Sequence, residues 1–104
     1  MKYTGESPAD PRVIGELWEV ICERAAHPDE NSYTSRLLHD KKGIDKVLEK
    51  VGEEATEFII AIKNRVPERT TEEAADLFFH ILVALRAADV DFKEVINELE
   101  RRRK

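Results

Sequence analysis

Two long helical periods separated by a three-residue turn constrain this chain more than any other feature. From Ile44 to about Lys63, the residues Ile44, Val47, Leu48, Val51, Ala55, Phe58, Ile59 and Ile62 recur at helical spacing and share one side. Asn64-Arg65-Val66 is the turn, and a second helix beginning at Pro67 or Thr70 continues to about Ala88. Helices this long, joined so tightly, must fold back on one another as an antiparallel pair. The second helix is apolar on two sides. Ala74, Leu77, Phe78, Ile81 and Leu85 make one face, while Phe79 and Val83 point nearly opposite. A helix apolar on both sides needs partners on both sides, and a second copy of the chain is the simplest source. Ile60, projecting onto the polar side of the first helix, asks for cover there too.

The rest of the chain reads as helices on the same plan. Asp10-Pro11 predicts an N-cap followed by Pro in the first turn, opening a helix to about residue 26 through Val13, Ile14, Leu17, Trp18, Val20 and Ile21. His27-Pro28 ends it. A short helix capped by Ser32 or Thr34 follows, then a break at Lys41-Lys42-Gly43, where Gly43 is free to take the left-handed conformation that closes a helix. Asp91-Phe92-Lys93-Glu94 matches a capping box before a last helix carrying Val95, Ile96 and Leu99. Residues 1 to 10 read as a loose arm and Arg101 to Lys104 as a basic helix end. The expectation is one all-α domain over residues 1–104, a bundle of four to five helices completed by homodimerisation.

Composition agrees and excludes several functions. With 38% charged residues, four Gly and four Pro, helices are favoured over strands. The formal net charge of −5 argues against a nucleic-acid-binding surface. Cys22 is the only cysteine, so an intrachain disulfide and a cysteine-based zinc site are both excluded; it reads as a small core residue. No apolar run is long enough to span a membrane and no secretion-signal core is visible, so the cytoplasm is the expected location.

Carboxylates carry the chemistry. Glu54 and Glu57, with Glu53 beside them, sit three residues apart on the first long helix; Glu73 and Asp76 do the same on the second. That spacing puts each pair on one face, where like charges repel. Antiparallel pairing brings the two pairs together, and carboxylate oxygens from two helices suit a hard divalent cation. The alternatives are a solvated acidic face at Glu53, Glu54 and Glu57, and a capping box in which Glu73 reaches back to the Thr70 amide. Asp76 favours the metal reading, since it lies in a strip with Glu73 and His80 between two apolar surfaces. His80 itself reads as a helix-interface histidine. Lys46 and Lys50, one turn apart beside the acids, are candidate phosphate contacts, with Arg36 a further one. No Gly-rich phosphate loop or nucleophile elbow is present.

Specific blocks sharpen this. Ser32-Tyr33-Thr34, Gly43, Lys50-Val51-Gly52-Glu53-Glu54-Ala55-Thr56-Glu57, Lys63-Asn64 and Glu73-Ala74-Ala75-Asp76-Leu77-Phe78-Phe79-His80 closely resemble the phosphoribosyl-ATP pyrophosphohydrolase family, over roughly residues 13 to 100. The paired acids alone would indicate only the wider all-α nucleotide pyrophosphohydrolases. The resemblance implies a helical homodimer that hydrolyses phosphoribosyl-ATP to phosphoribosyl-AMP and pyrophosphate in histidine biosynthesis. It implies Mg²⁺ held by Glu54, Glu57, Glu73 and Asp76, and substrate contacts at Ser32, Tyr33 and Thr34 besides the lysines. Glu53 or Glu54 is then the carboxylate that orients or deprotonates water. Phe79 departs from the family pattern, which often has Tyr there. Two other readings stand beside this one: a house-cleaning hydrolase of nucleoside triphosphates, and a non-catalytic helical dimerisation module.

Overall fold

The computed structural model describes residues 9–103. It contains five helices: α1 (Arg12–Ala26), α2 (Tyr33–Leu38), α3 (Ile44–Lys63), α4 (Pro67–Ala87) and α5 (Phe92–Arg102). Most of the predicted arm and the terminal Lys104 lie outside the described residues.

The helix ends follow local chemistry. Asp10 caps α1 through its carboxylate, which accepts the Arg12 amide at 2.9 Å, with Pro11 between them. His27 leaves the helix in an extended conformation (φ −128°, ψ 90°), as the following Pro28 requires. The Ser32 hydroxyl accepts the Ser35 amide at 3.1 Å and so caps α2. Gly43 does take positive φ, but at φ 66° and ψ −142° it opens α3 instead of closing α2, which has already ended at Leu38. Arg65 and Asp89, both at φ 57°, are the residues that turn the chain after α3 and α4. Asp91 caps α5 by accepting the Lys93 amide at 2.9 Å. The capping box read at Thr70 does not form. Pro67 already starts α4, so the Thr70 amide is bonded inside the helix to the Val66 carbonyl at 2.9 Å.

α3 and α4 form the antiparallel hairpin, and α1 and α2 pack against it. Ile21, Leu37, Val47, Leu82 and Val83 make the core, with Ile14, Leu17, Trp18, Phe79 and Phe92 closing around it. Cys22 is only half-buried and stays outside this core, beside Trp18 and the turn at Asp89 to Asp91.

Orientation of α3 is the main departure from the sequence pattern. Its buried residues are Val47, Glu54 and Ala61, one line seven residues apart along the edge of the apolar stripe. Ile44, Leu48, Ile59 and Ile62, in the stripe itself, are 42–59% exposed. At about 100° per residue they lie roughly 80–140° round from the buried line. On α4, Phe78 and Ile81 are similarly rotated from the buried Glu73 and His80, and remain exposed. Rotation in the same sense on two antiparallel helices leads to the same side of the hairpin. The two apolar faces therefore form one surface, uncovered among the described residues. α5 adds exposed Ile96 and Leu99 and buries no residue fully. The Cα radius of gyration, 15.2 Å, exceeds the value of about 13 Å usual for a self-sufficient domain near 100 residues.

Candidate active site

Turning α3 by a quarter-turn places carboxylates, not leucines, between the two long helices. Glu54 and Glu73 are 8% and 4% exposed. One carboxylate oxygen from each of Glu54, Glu57 and Glu73 comes within 4.8 Å of the others. Oε2 of Glu54 and Oε2 of Glu73 are buried with no hydrogen-bond partner among the described residues. Buried carboxylate oxygens without partners are costly unless a cation or a proton compensates them. Burial, foremost, and the neighbouring Glu57 carboxyl hold the Glu73 pKa above its ordinary 4.5; Arg69 partly offsets them, and Asp76 adds to the rise. An all-oxygen donor set of this kind fits a hard divalent ion such as Mg²⁺.

Asp76 stands at the edge of this group. It is exposed and outside the three-carboxylate cluster, but its charge is felt by both Glu73 and Tyr33. Its backbone carbonyl accepts from His80 Nδ1 at 2.7 Å. A carbonyl can only accept, so Nδ1 carries the proton, and in the neutral ring Nε2 receives the Tyr33 hydroxyl proton across 2.9 Å. Tyr33 also sits edge-on to the His80 ring. The buried His80 is thus a tie between α2 and the acid-bearing turn of α4, the interface role its position suggested. Burial, the largest effect, keeps the Tyr33 phenol above its ordinary pKa, and the charges of Glu53, Glu54 and Asp76 add to this.

Lys50 and Glu53 form the outer rim. Lys50 Nζ lies 2.9 Å from Glu53 and 3.7 Å from Glu54. The hydrogen bond lowers the Glu53 pKa and raises that of Lys50. Lys46 is half-buried one turn earlier and adds to the lowering at Glu53. Ser32 is occupied in capping α2, and Thr34 is half-buried in its first turn. Arg36 turns to the loop before α2, where Nη1 donates to the Glu30 carbonyl at 2.8 Å; no contact ties it to the acids.

One site residue escaped the sequence reading. Arg69 Nη2 lies 2.6 Å from Glu73 Oε1, and Nη1 lies 3.3 Å from Glu72. The signal was available: Arg69 precedes Glu73 by four residues, as Lys50 precedes Glu54. Beside the acids, Glu57, Ile60, Ala61, Asn64, Val66 and Arg69 line a cavity of about 290 Å³. This cavity is what Ile60 faces on the otherwise polar side of α3.

Fold and site together define an all-α protein whose antiparallel hairpin holds a cluster of buried carboxylates. The phosphoribosyl-ATP pyrophosphohydrolase family profile matches residues 14–103. A phosphoribosyl-ATP pyrophosphatase of Methanoregula boonei is 79% identical over the full length of both chains. One from Methanoculleus marisnigri is 60% identical across 91% of this chain and 98% of its own, and one from Methanosphaerula palustris 61% identical across 91% and 96%. The chain belongs to the phosphoribosyl-ATP pyrophosphohydrolase family.

Proposed function

We propose that this protein is a phosphoribosyl-ATP diphosphatase of histidine biosynthesis, hydrolysing phosphoribosyl-ATP to phosphoribosyl-AMP and pyrophosphate with Mg²⁺. Family membership supports the reaction, and the two bare, buried Oε2 atoms of Glu54 and Glu73 are the observation that carries the metal dependence. Glu54, Glu57, Glu73 and Asp76 would hold the ion. When bound, it neutralises phosphate oxygens and the charge developing on departing pyrophosphate.

The chain's own groups divide the remaining work. Lys50, and Lys46 behind it, face phosphate oxygens at the rim. Glu53 is exposed and has its pKa lowered by Lys50, so it is a weak base suited to orienting the attacking water. Glu54 is the better-desolvated alternative for taking the proton. Tyr33, fixed by His80, reaches towards the acids from α2, and Ser32 and Thr34 on either side of it are the further substrate contacts of this reading. The uncovered face of α3, α4 and α5 is the contact of a homodimer. Operation is cytoplasmic; no helix of the described residues is long and apolar enough to cross a membrane.

Pyrophosphate release from phosphoribosyl-ATP with and without Mg²⁺ tests this reading. Activity confined to phosphoribosyl-ATP and requiring the metal is expected. Equal or better turnover of common nucleoside triphosphates would mark a house-cleaning hydrolase, and no hydrolysis of any substrate would leave a binding module.

A further inference from the structure

Each buried acid has a cation four residues before it on its own helix, but the two pairs differ. Lys50 lies 3.7 Å from Glu54 and closer to exposed Glu53, whereas Arg69 reaches Glu73 Oε1 at 2.6 Å. Arg69 therefore holds one oxygen of a carboxylate that belongs to the acid cluster, while Oε2 of that carboxylate stays bare. Its own side chain is 59% exposed, so one end of the pair is in solvent and free to move. A divalent ion among Glu54, Glu57 and Glu73 would repel the guanidinium and compete for the same carboxylate.

The displaced guanidinium has a destination. Arg69 lines the cavity of about 290 Å³ that begins at Glu57 and continues over Ile60, Ala61, Asn64 and Val66. Ile60, Ala61 and Val66 give apolar walls, Asn64 an amide and Arg69 a guanidinium, which suit a flat or sugar-like group bearing an anion once a cation neutralises the Glu57 carboxylate at the edge. The antiparallel hairpin places Lys50 and Arg69 on opposite sides of the acids along its axis, since each lies one turn N-terminal to its own glutamate. A phosphoribosyl nucleoside triphosphate carries anionic groups at two separated points, which matches cations at two separated ends.

We propose that Arg69 is an exchangeable counter-ion that holds Glu73 in the metal-free protein, yields it to a divalent cation, and then binds an anionic group of the substrate in the cavity beside Glu57. This rests on the reading of the acid cluster as a cation site.

The test compares unmodified protein, Arg69→Met and Arg69→Lys. Mg²⁺ alone is titrated calorimetrically, thermal unfolding is followed with and without Mg²⁺, and kinetics are measured at saturating Mg²⁺. Arg69→Met should bind Mg²⁺ more tightly, gain more thermal stability from it, and show KM raised roughly ten- to a hundred-fold with kcat little changed. Arg69→Lys, which keeps the charge but loses the fork, should fall between. Unchanged or weaker Mg²⁺ binding in Arg69→Met would show that Arg69 does not compete for Glu73 and overturn the exchange. Tighter Mg²⁺ binding with unchanged KM would overturn the substrate role. If the unmodified protein binds no Mg²⁺, the cation reading fails and this proposal with it, a result distinct from both.

Discussion

Replacing Ile81 probes the uncovered face of α4 without touching the acids. Ile81 is 41% exposed in the single chain. Full burial of such a side chain is worth about 1.5–3 kcal/mol, so covering the remainder contributes about 0.6–1.2 kcal/mol per copy. A two-fold interface counts this twice. Ile81→Ala should then weaken the dimer by about 1.2–2.4 kcal/mol, or roughly seven- to fifty-fold in Kd. Ile81→Glu should go further, giving a folded monomer at micromolar concentration, because two carboxylates would enter an apolar contact. Val83 is the control on the same helix. It is 0% exposed and belongs to the core of the single chain. Val83→Glu should bury an unpaired charge at several kcal/mol, against a total stability of about 5–15 kcal/mol, and unfold the chain instead of dissociating it. Sedimentation velocity across a dilution series, with circular dichroism for folding, reads both. A monomeric unmodified protein, or an Ile81→Glu variant that sediments unchanged, would refute the assignment of this face.

The site itself offers three further tests. Glu57→Gln and Asp76→Asn should cut activity by orders of magnitude while the fold persists, whereas Glu49→Gln, which loses only an exposed pair with Lys42 at 3.3 Å, should be nearly silent in the same assay. Similar kinetics for all three would remove the acids from the mechanism. Lys50→Met should raise KM without weakening Mg²⁺ binding, by roughly ten- to a hundred-fold for one lost charge-assisted hydrogen bond; equal loss of metal affinity in calorimetry would make Lys50 a helix support only. For pH, Glu73 has a folded-state pKa raised above 4.5, so its protonated form stabilises the fold: the contribution is complete below 4.5 and is lost as pH rises through the higher folded value. Metal-free Glu73→Gln should accordingly melt higher than the parent at neutral pH and equally below 4.5. The same Tm difference at both pH values would contradict that.

The sequence by itself determined the helices and the residues available for chemistry. Period, caps and prolines act within a few residues, so α3 was legible from Ile44 to about Lys63 and α4 from Pro67 or Thr70, and the repeated acid spacing marked Glu54, Glu57, Glu73 and Asp76. Only the tertiary structure decided how each helix is rotated. An apolar stripe says that a face seeks cover, but not whether the cover comes from the same chain. Here α3 turns the edge of its stripe to α4, which buries Glu54 against Glu73 and leaves Ile44, Leu48, Ile59 and Ile62 outside. For the same reason the Tyr33–His80 tie, between residues 47 apart in the chain, could not be read from local spacing. Arg69 differed: its offset from Glu73 was visible, but its closeness to a buried oxygen exists only once the hairpin has formed. Long-range pairing and helix rotation depend on the sum of many weak contacts across the fold, and no local pattern encodes that sum.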